Sequence, residues 1–190
     1  MKKLSTNEKL IQSARKLFLA FGIKKVSVEE ICLEAGCSKM SFYRLFKNKA
    51  DIAKVVLTEI ALEGRESYNA IMNQEISFAD KMKQVVAQKH ENAKAVSLEF
   101  LKDLYSNYPD IMSELDSFRS ESIKLFIDDL KKARKEGFIR KDIKIDFIIY
   151  MFNRIQLMLQ DEELLSQFKS VQEASDNITK LLFYGILKEE

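Results

Sequence analysis

Residues 27–51 read SVEEICLEAGCSKMSFYRLFKNKAD. Their spacing predicts two short helices joined by a tight turn, with a third helix starting at once. Ser27 is a good N-cap, and Glu30 three residues later completes a capping box. Val28, Ile31, Cys32 and Ala35 recur at i, i+3, i+4 and i+7, one face of a helix. Gly36 stands where a helix C-terminus favours a left-handed residue. Ser38 can cap the next helix, whose apolar positions Phe42, Leu45 and Phe46 share one side. Its other side carries Lys39, Met40, Ser41, Tyr43 and Arg44. A short helix with one apolar side and one basic, hydroxyl-bearing side suits the major groove of DNA.

Outward from this window the pattern stays helical. Residues 5–21 form a first helix, with Ser5 and Glu8 as a second capping box and Leu10, Ile11, Ala14, Leu17, Phe18 and Phe21 as its buried stripe. Asn48 can cap a fourth helix, and the repeat Ile52, Val55, Val56, Ile60 carries it on to about residue 72. Further segments follow at 78–95, 97–107, 109–136, 145–161 and 171–187, with Pro109 opening one helix and Gly137 closing it. The serines between 166 and 175 suggest a loop or one short extra turn.

The first-helix residues Ala14, Leu17, Phe18, Phe21 and Gly22, the SVEEI and AGCS segments, and SFYRLFKNKADI together resemble the helix-turn-helix of the TetR family of bacterial transcriptional regulators. Tyr43, Phe46, Lys49 and Asp51 match that family's pattern. Met40 stands where the family often has Gly, and Ser41 where it often has Thr. The resemblance is specific over about the first 60 residues. It implies an all-α protein of about nine helices: a three-helix DNA-binding domain at 4–64, with its motif at 27–46, and a C-terminal ligand-binding and dimerisation domain at 73–190.

Charge distribution agrees. Residues 1–50 hold 11 Lys/Arg and 4 Asp/Glu, a balance of +7, which leaves −5 for residues 51–190 within the net charge of +2. A basic module on an acidic remainder is the footprint of a nucleic-acid reader joined to another function. With 46% hydrophobic and 32% charged residues over 190 positions, the chain can build real cores. The two lysines at the N-terminus precede no apolar stretch of the kind a secretory signal needs, and the longest apolar run, 147–152, is too short for a bilayer. We therefore expect a cytoplasmic protein without a membrane partner. Cys32 and Cys37 lack metal-ligand neighbours and are expected in the core rather than in a zinc site.

Enzymatic signatures are missing from the sequence: it has no G-x-S-x-G, HExxH, CxxC or GxxxxGK[ST]. The lone histidine, His90, lies in the polar run QKHENAK and reads as solvated. We expect neither catalysis, nor a cofactor, nor a metal. The segment 145–160 is apolar on nearly all sides, and 178–187 carries Ile178, Leu181, Leu182 and Ile186 around Gly185. A helix hydrophobic all round needs cover from two directions. The family resemblance implies that these helices pair with their copies, making Ile149, Phe152, Leu182 and Gly185 a homodimer interface.

The expected function is a ligand-responsive repressor that binds a palindromic operator in double-stranded DNA as a dimer. Ser27, Lys39, Ser41, Tyr43 and Lys49 would mainly hold phosphates, Met40 and Arg44 would read bases, and Lys47 is a further DNA-binding candidate. A small apolar or aromatic effector would enter a cavity near Phe100, Tyr105, Phe126 and Tyr150. The alternative is a DNA-binding regulator without a small-molecule ligand, controlled by a protein partner.

Overall fold

The computed structural model describes residues 4–158 and 161–186, with some side chains inside helices excepted, Tyr105 and Phe152 among them. Among these residues the chain forms ten α-helices and one π-helical turn: α1 Thr6–Phe21, α2 Val28–Ala35, α3 Lys39–Leu45, α4 Lys49–Met72, α5 Phe78–Ala93, α6 Leu98–Lys102, the π turn Asp103–Asn107, α7 Pro109–Lys135, α8 Ile145–Met158, α9 Glu162–Leu165 and α10 Val171–Ile186. The all-α class is as expected. The short α9 brings the count above nine, because Asp161 caps a single turn through the Leu164 N–H (3.1 Å).

Two compact units divide the chain: residues 1–64 with 95–116, and residues 65–94 with 117–190. The first boundary between the units falls inside α4, after Gly64. Residues 95–116, expected with the C-terminal domain, belong to the N-terminal unit instead. The cause is packing and hydrogen bonding. Ser97 N–H donates to Leu19 O at 2.8 Å. Phe100, Leu104 and Ile111 are buried with Leu10, Ala14, Phe18, Ile31, Phe42, Ile52 and Val56 in one core.

The local signals behind the N-terminal helices are present as side-chain bonds. Ser5 and Ser27 each accept the N–H of the residue three ahead, Glu8 and Glu30, whose carboxylates return to the cap N–H at 2.7 Å. Gly36 has φ 62° and ψ 38°, the left-handed C-cap that stops α2. Ser38 accepts from Ser41 N–H at 3.1 Å, and Asn48 Oδ1 from Asp51 N–H at 3.0 Å. One expectation for α3 fails. Phe42 and Phe46 are buried, but Leu45 is 40% exposed, because Phe46 leaves the helix in extended conformation (φ −133°) and turns its own ring inward.

The second unit has its own core of Ile71, Phe78, Met82, Val85, Val86, Leu130, Ala133, Ile139, Ile148 and Phe183. Tyr68 OH donates to Asp129 Oδ2 at 2.8 Å, and burial, then that carboxylate, push the phenol's pKa upward. His90 is half-buried rather than solvated. Its Nε2 is 3.1 Å from the Gln172 amide, and its Nδ1 lies 3.3 Å from Asp176 Oδ1 without making a hydrogen bond. The histidine thus joins α5 to α10.

Candidate nucleic-acid interface

α3 presents its polar side outward. Met40 is 81% and Tyr43 57% exposed, while the Phe42 beneath them is fully buried. The Tyr43 ring meets Phe42 edge-on, with centroids 5.3 Å apart, so the phenol is oriented from below. Arg44 and Lys47 are exposed. Lys39 pairs with Glu29 of α2, which raises the lysine pKa and lowers that of the carboxylate. The Ser41 and Ser38 hydroxyls are 3.0 Å apart. Met40, Ser41, Tyr43, Arg44 and Lys39 are thereby gathered on one seven-residue helix, held in place by caps at its start and by two buried phenylalanines.

Ser27 and Lys49 are more constrained than the sequence suggests. The Ser27 hydroxyl is engaged with Glu30, donating to its carboxylate at 2.8 Å. Lys49 Nζ donates to Lys24 O at 2.8 Å and Val26 O at 2.7 Å. It closes the α1–α2 loop from the first turn of α4 and keeps one of its three protons for another acceptor. Desolvation lowers the Lys49 pKa, with the Asp103 charge acting against that.

Sequence reading missed the contacts that shape this loop. Asp103 is buried and accepts from Lys24 N–H at 2.7 Å and from the Asn107 amide at 2.8 Å. Gly22 has φ 85° and ψ 158°, and a Cβ there would lie 2.7 Å from Asp103 Oδ2 and 3.2 Å from Glu99 Cβ. Only glycine lets α6 and its π turn approach the end of α1 this closely. The sequence signal was an acid in an otherwise apolar and amide setting, DLYSN. Cys32 is buried, Cys37 half-buried, and both are free. Burial pushes the Cys32 thiol up, which keeps it protonated and unreactive.

The residues expected around an effector scatter. Phe100 lies in the core of the N-terminal unit, since α6 packs on α1. The Tyr105 side chain lies outside the described residues. Phe126 packs in the C-terminal unit against Tyr68 and Phe183, at centroid distances of 6.2 and 6.4 Å. Tyr150 is 51% exposed beneath the Arg154 guanidinium, on the outer side of α8, and so does not line an interior. At the expected dimer surface, Ile149 and Leu182 are half-buried, Phe152 lies outside the described side chains, and Gly185 is exposed with open space about it. Among the described side chains of α8 and α10, Phe147, Tyr150, Leu181 and Tyr184 are the exposed large apolar ones, while Leu182 sits beside buried Phe183.

Among the described residues no cluster of acids, histidines and cysteines could hold a metal ion, and no helix is long and apolar enough to cross a membrane.

Residues 10–56 match the model of the bacterial regulatory proteins of the tetR family. The chain is 28% identical over 163 residues to the HTH-type transcriptional repressor KstR2 of Mycolicibacterium smegmatis, covering 79% of this chain and 75% of that protein. Among solved structures it resembles the regulatory protein TetR from Rhodobacter sphaeroides (TM-score 0.73, 16% identity, 95% and 98% of the two chains). It also resembles the fatty acid degradation regulator FadR from Bacillus halodurans (TM-score 0.72, 15% identity, 97% and 98%).

Proposed function

We propose that this chain, a TetR-family transcriptional regulator and not an enzyme, is a dimeric repressor released from its operator by a small, largely apolar effector. The observation that carries the DNA-binding part is the outward face of α3, where Met40, Tyr43 and Arg44 stand exposed on a helix anchored by buried Phe42. The KstR2 relative is a repressor, which supports the sign of regulation.

In this reading Ser41, Tyr43, Lys47 and the remaining proton of Lys49 hold phosphates, and Ser27 joins them at the start of α2. Lys39 exchanges its Glu29 partner for a phosphate. Met40 and Arg44 face base edges, Arg44 because a guanidinium can take guanine bidentately. Two copies of α3 meet successive major grooves, so half-sites lie about 34–36 Å apart. The effector binds in the C-terminal unit and favours the dimer shape that does not fit DNA. α4 and α7 are both continuous from one unit into the other, which supports mechanical communication.

Titration of DNA fragments from the gene's own neighbourhood tests the reading. Affinity should fall steeply with salt, as Lys/Arg contacts to phosphate displace counterions. Arg44→Ala should cost about 1–3 kcal/mol and relax preference at one base position per half-site. Tyr43→Phe should weaken all sequences alike by about 1 kcal/mol. Equal weakening of every single-base operator variant by Arg44→Ala would make Arg44 a phosphate contact. Failure to bind any such fragment would overturn the operator model.

A further inference from the structure

Lys89 is out of place on α5. The buried residues of that helix are Phe78, Met82, Val85 and Val86. At about 100° per residue, the direction of Lys89 falls in the middle of the face those four define, at i+4 from Val85 and i+7 from Met82. The solvent side of the helix is taken by Asp80, Lys83, Gln84, Ala87, Gln88 and Glu91, all but Ala87 polar. α5 has not run past the body of the unit at this level. On the next residue, His90 Nδ1 is shut off from solvent, and Gln172 and Asp176 of α10 lie against the ring.

An inward position of this kind should be covered, yet Lys89 keeps the accessible surface of an exposed residue. At the same time protein surrounds its ammonium closely enough that desolvation lowers its pKa, with no acid among the described residues set against it. These facts are compatible when the side chain faces open space inside the unit: walls desolvate the charge, while the space leaves it accessible. An unpaired ammonium in such a setting is costly to the free protein, and a bound anion removes the cost. The flanking Met82 and Val85 make the adjoining wall apolar.

We propose that Lys89 is the ammonium anchor of an internal ligand site in the C-terminal unit, and that the effector is an amphipathic anion, a carboxylate or phosphate carried on an apolar body. The proposal rests on the effector-binding reading above and names the ligand's chemical class. Lysine acts as a point charge with three rotatable donors and so accepts either headgroup, while the apolar body occupies the space beyond Met82 and Val85.

The experiment is calorimetric titration of the full-length protein with two series of probes. One is decanoate, decyl phosphate, decan-1-ol and decyltrimethylammonium; the other is 2-naphthoate and 2-naphthol. Wild-type protein should bind the anions about 10- to 100-fold more tightly than the matching alcohols, the scale of a charge-assisted hydrogen bond, and the cation least. Lys89→Met should bring anion affinity down to that of the alcohols and leave alcohol affinity unchanged. Lys89→Arg should keep the preference. Lys89→Met should also raise the melting temperature of the free protein, which a lysine serving structure would not do. Should Lys89→Met fail to fold, the anion-to-alcohol ratio in the wild type decides alone. Equal binding of anion and alcohol, or a preference that survives Lys89→Met, overturns the anchor and leaves an effector site that does not use Lys89. If no probe of either series binds, the effector site itself is refuted, and Lys89 with it. Decyl phosphate against decanoate separates the two headgroups.

Discussion

Leu181→Asp combined with Tyr184→Asp should turn a dimer into a monomer and lower affinity for a two-half-site operator by about 10²- to 10⁴-fold. Leu181 is 77% and Tyr184 58% exposed on α10, and Phe147 and Tyr150 are 56% and 51% exposed on α8. Leu181 and Tyr184 stand three residues apart, as do Phe147 and Tyr150, so each pair shares one side of its helix. They are the right material for the centre of an interface between copies. A carboxylate buried there would face its symmetry mate, so both desolvation and like-charge repulsion oppose association. DNA affinity follows because the second half-site is reached at high effective concentration only when the two reading heads are linked. Light scattering reads the mass, and fluorescence anisotropy reads binding to a full operator and to one half-site. Half-site binding should stay within a factor of two or so of wild type, since α3 lies in the other unit. A variant that remains dimeric would place the interface elsewhere.

Gly22→Ala should be the most damaging single-methyl change in the N-terminal unit. Its φ of 85° and ψ of 158° lie in a region open essentially to glycine, which costs other residues about 1–3 kcal/mol. The added methyl would also stand 2.7 Å from Asp103 Oδ2. Relief requires the carboxylate to withdraw from Lys24 N–H, at a further cost of about 1–3 kcal/mol for the orphaned groups. Against a total stability of about 5–15 kcal/mol this is a large fraction. Denaturant unfolding measures it. Gly64→Ala serves as control: Gly64 is helical with nothing within 4 Å, so alanine should stabilise by about 0.5–1 kcal/mol. In an Asp103→Ala background Gly22→Ala should cost less, because the 2.7 Å contact is gone and only the tight approach to Glu99 Cβ at 3.2 Å remains. Additive losses would show that backbone strain and the Glu99 contact, not the Asp103 carboxylate, set the requirement for glycine.

The part of the fold that was legible in sequence is the part governed by neighbours along the chain. Ser5, Ser27, Ser38 and Asn48 cap helices because their partners lie three residues away, within reach of any reader of the sequence. The exposed side of α3 followed from Phe42 fixing the buried one. What stayed hidden was which core an apolar stripe joins. Phe100 and Leu104 look like any middle-of-chain hydrophobics, and only the Ser97–Leu19 and Asp103–Lys24 bonds tie them to α1. Tyr150 failed for a related reason: on a helix apolar all round, sequence cannot say which side is inward. Lys89 and His90 were hidden by composition. QKHENAK reads as a solvated run, although counting four, seven and eleven residues on from Val85, Met82 and Phe78 already puts Lys89 on the buried side.

The division of the chain also bears on heredity. The polypeptide passes between its two units three times, near residues 64, 94 and 116. A gene fusion that joined the first 64 codons to a foreign sensor would import another protein's version of residues 95–116. That stranger would have to supply an acid for Lys24, a phenylalanine for the core and a backbone fitted to Gly22. The stretch that folds as the first unit is therefore interrupted in the gene, and recombinants that exchange the second unit should survive when the α6 stretch travels with the first.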